Sequence, residues 1–139
     1  MILGLDHIAV AVPDLEGAVK RWATDLGLTL DGTEDVTLQK TRTAFIAIPA
    51  GSAHVELVTP LDGQGPIAAA LEKRGPGLHH LCFRTDDIDA EVARLKAKGW
   101  SFTSEAPTPG AHGTRVIFVH PKSTGGVLIE LAEHPVSTP

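Results

Sequence analysis

The chain has 139 residues, 42% of them hydrophobic and 21% charged, the proportions of an ordinary folded domain and not of a disordered or low-complexity segment. Against 17 Asp and Glu stand 12 Lys and Arg, and the net charge of −5 is spread along the chain without a basic tract, which argues against nucleic-acid binding. A single cysteine, Cys82, excludes an internal disulfide and any multi-thiolate metal site, and no apolar run reaches the ~18 residues of a membrane span.

The opening MILGLDHIAVAVPD carries no basic region and meets Asp6 early, so it does not read as a signal peptide, and a cytoplasmic protein is expected. Residues 3–12 are apolar and β-branched, a strand stopped by Pro13. Asp14 offers an N-cap to a helix with the stripe Leu15, Ala18, Val19, Trp22 and Leu26, ending near Gly27. Strands follow near 28–31, 41–49 and 53–59. Pro66 in a first helical turn, with Ile67, Ala70 and Leu71 on one face and Gly75 behind, predicts a short linking helix. Next come a strand over 78–85, a helix capped by Asp87 with Ile88, Val92 and Leu95 inward, and strands near 100–103, 114–119 and 126–132. The stretch 104–113 reads as a turn-rich loop.

This order is a repeat. GLDHIAVAVPDLEGAVKR, from Gly4, aligns without a gap on GLHHLCFRTDDIDAEVAR, from Gly77, at a shift of 73. His7 then pairs with His80 and Asp14 with Asp87. Later, HVEL (His54 to Leu57) answers LIEL (Leu128 to Leu131) at a shift of 74, pairing Glu56 with Glu130. The expected fold is α+β, one domain over 1–139. Two tandem βαβββ modules, about 1–60 and 76–134 with a linking helix at about 62–75, form a curved mixed sheet around a metal-binding cleft.

Strand parity gives these four residues their meaning, because alternate side chains point to opposite faces. Ile8, Val10 and Val12 take the helix side, leaving His7 on the other; Leu81 and Phe83 do the same for His80. Glu56 stands between Val55 and Leu57, and Glu130 between Ile129 and Leu131. Singly, each is more often a structural or solvated residue, but the recurrence of both residue types in register weighs against that reading. Carboxylates among apolar neighbours are normally paired or bound to a metal, and two sharing one site repel unless a cation lies between them. Two neutral imidazoles and two carboxylates suit Co²⁺, Ni²⁺, Mn²⁺, Fe²⁺ or Zn²⁺, with open positions for substrate oxygens.

At these residues the chain resembles the vicinal oxygen chelate superfamily, and within it the methylmalonyl-CoA epimerases. LDHIAVAVPDLE and the set His7, Glu56, His80 and Glu130 carry the general likeness; GLHHLCFRTDDIDA, GAHGTRVIFVHPK and STGGVLIEL carry the specific one. The resemblance implies a divalent cofactor, Co²⁺ first with Ni²⁺, Mn²⁺ or Zn²⁺ as alternatives, an acyl-CoA substrate and a homodimer. It also implies interconversion of (2R)- and (2S)-methylmalonyl-CoA by α-proton abstraction through a metal-stabilised enolate, with Glu130 first and Glu56 second as the acid–base groups. Some family members carry a non-ligand Glu on the third strand, where this chain has Thr43. The Gly-rich segment with His112 resembles the family loop that closes over substrate, and Lys122, Arg115, Lys40 and Arg42 are expected either as cations that meet CoA phosphates or, as such residues more often are, as plain surface charges.

Of the remaining histidines, His79 points away from His80 and reads as packing, His54 shares the face of Glu56 as a cleft or rim residue, and His134 falls in an unstructured tail. Cys82 reads as a small buried apolar residue. Three other functions fit parts of the pattern. Glyoxalase I shares the ligands, an extradiol dioxygenase would use His7, His80 and Glu130 without needing Glu56, and a metal-free binding protein of the same fold would not need the ligands at all.

Overall fold

The computed structural model describes residues 1–136. The chain divides into two compact units, His7–His79 and a second made of Met1–Asp6 with the described residues from His80 onward. In sequence order the elements are β1 (Ile2–Ala11), α1 (Leu15–Val19), β2 (Thr29–Val36), β3 (Thr41–Ala47), β4 (His54–Pro60), α2 (Pro66–Arg74), β5 (Gly77–Thr85), α3 (Ile88–Ala97), β6 (Thr108–Pro109), β7 (Arg115–Val119) and β8 (Ile129–Glu133). The order β1-α1-β2-β3-β4 thus recurs as β5-α3-β6-β7-β8, and the α+β class with mixed strand pairing is what the structure has.

In the unit His7–His79 the strands run β2-β3-β4-β1, with β1 parallel to β4 and the others antiparallel. α1 begins where expected, because the Asp14 carboxylate accepts from the Gly17 amide at 3.3 Å. Its core joins Val10, Val12, Ala44, Ile46, Val55 and Leu57 to Leu15, Val19, Trp22 and Ala23. Leu26, expected on that stripe, is instead 64% exposed. From Lys20 to Asp25 the helix widens to π pitch, with the Leu26 amide donating to the Arg21 carbonyl at 3.0 Å, and the extra residue per turn brings Ala23 inward and swings Leu26 out. The opposite face of β1 and β4 is covered at one end by α2, where Ile67 and Leu71 pack on Ala11 and Val58.

In the second unit the order is β5-β8-β7-β6, with β5 parallel to β8. Asp87 caps α3 by accepting from the Ala90 amide at 3.0 Å, and Ile88, Val92 and Leu95 pack on Ile117 and Leu131 as expected. The strand expected near 100–103 is reduced to one bridge between Phe102 and Val119. Trp100 and Phe102 spend their apolar surface on the α3 core instead, and the short β6 forms inside the expected loop. The N-terminal ammonium is bound at the edge of this unit, 2.9 Å from Asp86 and 3.0 Å from the buried Glu91, which also takes Arg94 at 2.9 Å. Burial works against the Glu91 charge, but the ammonium and the guanidinium outweigh it and hold the carboxyl below the usual range.

Among the described residues, no helix is long and apolar enough to cross a membrane.

Candidate metal centre

In the unit His7–His79, β1 and β4 lie parallel with His7 beside His54 and Ala9 beside Glu56. Val55 and Leu57 turn into the α1 core, so His54 and Glu56 take the other face of β4, the one His7 takes on β1. There the Glu56 Oε2 atom lies 2.9 Å from Nδ1 of His7 and 2.7 Å from Nε2 of His54. The two imidazole rings stand 5.2 Å apart, and Phe45, directly across β3 from Glu56, closes on His54 at 5.9 Å between ring centres. His7 and Glu56 are buried.

The second unit builds a matching couple. Cys82 pairs in register with Glu130 on β8, and Phe118 of β7 lies across from Glu130 on its other side. Nε2 of His80 is 3.2 Å from Oε1 of Glu130, and the His80 ring meets Phe118 edge-on at 5.1 Å. Phe45 and Phe118 are separated by the repeat shift of 73, so each half supplies the same trio of imidazole, carboxylate and aromatic wall. Cys82 is fully buried with Val116 and Ala132 on this face, small and apolar as expected.

Each half therefore holds a buried carboxyl group against imidazole nitrogen, so neither polar group is left unpaired in the interior. The donors fit a divalent ion of the first transition row. N and O ligands about 2.0–2.2 Å from one metal lie roughly 3 Å from each other, and within the two halves the separations are 2.7, 2.9 and 3.2 Å. His54, read from the sequence as a cleft or rim residue, belongs to the first cluster: His7, His54 and Glu56 each offer a ligand atom within 4.8 Å of the others. Parity was the available signal, since His54 and Glu56 are two residues apart on one strand.

The remaining residues fall elsewhere. His134 is not in an unstructured tail; its Nε2 meets Oδ1 of Asp6 at 2.5 Å. His112 is exposed in the turn before β7 and sits at a φ of 57°, a left-handed conformation uncommon for a residue with a Cβ. Lys122 is exposed, and its amide donates to Nδ1 of His120 at 3.1 Å. Arg115 forks onto Asp89 at 2.9 and 3.1 Å and reaches Glu133 at 3.4 Å; the Asp89 pairing raises the guanidinium's proton affinity and lowers that of the carboxylate. Arg42 makes the same fork onto Asp35, at 2.7 and 3.1 Å. Thr43 is buried on the face that carries Glu56.

Residues 6–118 match the Glyoxalase/Bleomycin resistance protein/Dioxygenase superfamily. Over 130 residues the chain is 42% identical to a mitochondrial methylmalonyl-CoA epimerase of Homo sapiens, covering 93% of this chain and 73% of that one. It is 40% identical over 135 residues to an ethylmalonyl-CoA/methylmalonyl-CoA epimerase of Cereibacter sphaeroides, covering 96% and 99%. Among solved structures it resembles a methylmalonyl-CoA epimerase in complex with methylmalonyl-CoA and NH4+, at 32% identity and a TM-score of 0.92 with both chains covered in full.

Proposed function

This chain belongs to the Glyoxalase/Bleomycin resistance protein/Dioxygenase superfamily, and from that premise we propose that it is an isomerase, interconverting (2R)- and (2S)-methylmalonyl-CoA. The observation that carries this is likeness along nearly the whole chain to relatives that bear that activity in their names, at 40–42% identity. The chemistry of the two clusters agrees with it. Inverting an acidic carbon next to a thioester needs a group that removes its proton and a group that returns one to the opposite side.

His7, Glu56, His80 and Glu130 are the proposed holders of one divalent ion, with Co²⁺ ahead of Ni²⁺, Mn²⁺ and Zn²⁺. When bound, the ion supplies positive charge against the negative charge that builds on the substrate as the proton leaves. Glu130 enters the step as the carboxylate and takes the α-proton, while Glu56, its repeat equivalent, enters as the protonated acid and returns its proton from the other side, the two exchanging roles in the reverse direction. An aromatic ring flanks each carboxylate, the buried Phe45 in one half and the half-buried Phe118 in the other, and limits the water that can compete for that proton. His112, Lys122 and Arg115 are the proposed contacts to the CoA part. Lys122 is exposed and open to a phosphate, whereas Arg115 has to exchange Asp89 and Glu133 for one. A homodimeric, cytoplasmic protein completes the proposal, and sedimentation equilibrium reads the first of these.

The test offers the purified protein two substrates side by side. Epimerisation of (2S)-methylmalonyl-CoA, followed by a coupled mutase assay or by chiral chromatography, is the expected result. Turnover of the methylglyoxal–glutathione hemithioacetal without epimerisation assigns the glyoxalase reaction in its place.

A further inference from the structure

The two halves are not equal at their metal-binding faces. In HVEL the residue two before Glu56 is His54; at the matching place in LIEL, two before Glu130, stands Leu128. The repeat therefore accounts for His7, Glu56, His80 and Glu130 but gives no reason for His54. Its ring is not turned to solvent as a rim residue's would be. Nε2 lies 2.7 Å from the Glu56 oxygen that also takes His7, and the ring sits between His7 at 5.2 Å and Phe45 at 5.9 Å. Only 24% of the side chain is exposed.

We infer that His54 is a third metal donor of the unit His7–His79, so that His7, His54 and Glu56 form a two-imidazole, one-carboxylate face able to hold a divalent ion by themselves. This deepens the metal reading proposed above and rests on it. Three observations carry it. The donors come from adjacent parallel strands in fixed register, His7 opposite His54, so the face is set by backbone pairing and not by loop conformation. The separations of 2.7 and 2.9 Å are those of neighbouring ligands on one ion, about 3 Å. Two neutral imidazoles and one carboxylate carry a charge of −1, which a divalent cation more than offsets, while an imidazole held only by its carboxylate would need no second imidazole on the same oxygen. Counted with His80 and Glu130 the set reaches five protein donors, which on a six-coordinate ion leaves one position for a substrate oxygen. The first unit then acts as the primary seat of the metal.

The test measures metal and not turnover. Co²⁺ binding to the full chain is followed by calorimetry, by visible absorption and by proton NMR of the contact-shifted imidazole signals. His54→Leu installs the side chain that the other half carries, and His54→Gln guards against a packing artefact. Both are expected to weaken Co²⁺ binding at least tenfold, to change the visible spectrum and to reduce the shifted imidazoles from three to two. The double variant His80→Ala/Glu130→Gln is expected still to bind one Co²⁺, and adding His54→Leu to it to abolish that binding. The assignment is overturned if either His54 variant keeps the wild-type spectrum and an affinity within twofold, or if the double variant binds no Co²⁺. A wild-type chain that takes up no Co²⁺ removes the metal reading as a whole, whereas loss of epimerisation with all three imidazoles still shifted leaves this assignment standing.

Discussion

Glu130 is buried on β8 with the His80 imidazole against it and Phe118 across from it. Glu130→Gln keeps the volume and a possible ligand oxygen but cannot accept the proton. It should lower the rate of α-proton exchange by about 10²–10⁴-fold, read by proton NMR of methylmalonyl-CoA in D2O. A variant within a few-fold of wild type would take the base role away from Glu130. At this scale the sequence was legible where the repeat spoke: His7, Glu56, His80 and Glu130 could be paired before any fold was known. His54 and His134 were read too loosely for a common reason. Neither has a like residue in the other half, and what fixes each is a partner brought by the fold, Glu56 on the same strand face and Asp6 some 128 positions away.

Among the elements, helix caps were legible and edge strands were not. Asp14 and Asp87 cap α1 and α3 with the same carboxylate-to-amide bond because capping is a local interaction. β2 runs to Val36, well past the expected 28–31, because an exposed edge strand has no need of an apolar pattern; its register slips between Leu30 and Thr33, where Gly32 takes a φ of 113°. The strand expected near 100–103 is reduced to a bridge because Trp100 and Phe102 pack on the α3 core. The loop into β7 makes its own demand. A Cβ on Gly110 would come within 2.7 Å of the Thr114 hydroxyl and 2.8 Å of a Val116 methyl, both on buried, β-branched side chains that cannot swing away. Gly110→Ala should therefore cost about 1–3 kcal/mol in urea unfolding, and it should disturb His112 two residues on. Unchanged stability would mean that the turn relaxes freely.

Over the whole molecule, stability has a component tied to pH through Glu91. Its folded proton affinity lies below the ordinary value of 4.5, so the bonds to the Met1 ammonium and Arg94 stabilise the fold fully above that value and are lost as pH falls through the lower folded value. Glu91→Gln should lower Tm by roughly 3–6 °C at neutral pH, with the gap to wild type closing as pH drops below about 4; a gap that stays constant to pH 3 would show that the carboxylate's charge contributes nothing. The fold class and the order of elements could be read from the repeat, since each half had to bury the same helix stripe on the same strands. The pitch of the first helix and the tie between Met1 and α3 depend on contacts that local periodicity does not encode.

The central claim is that imidazole–carboxylate couples from the two halves serve one divalent ion in moving the α-proton of methylmalonyl-CoA. The most direct measurement is deuterium uptake at that carbon in D2O, with the protein loaded with Co²⁺, stripped by EDTA, and reloaded. The account predicts rapid uptake that chelation abolishes and Co²⁺ restores. Uptake that is indifferent to chelation, or absent from the loaded protein, would contradict it.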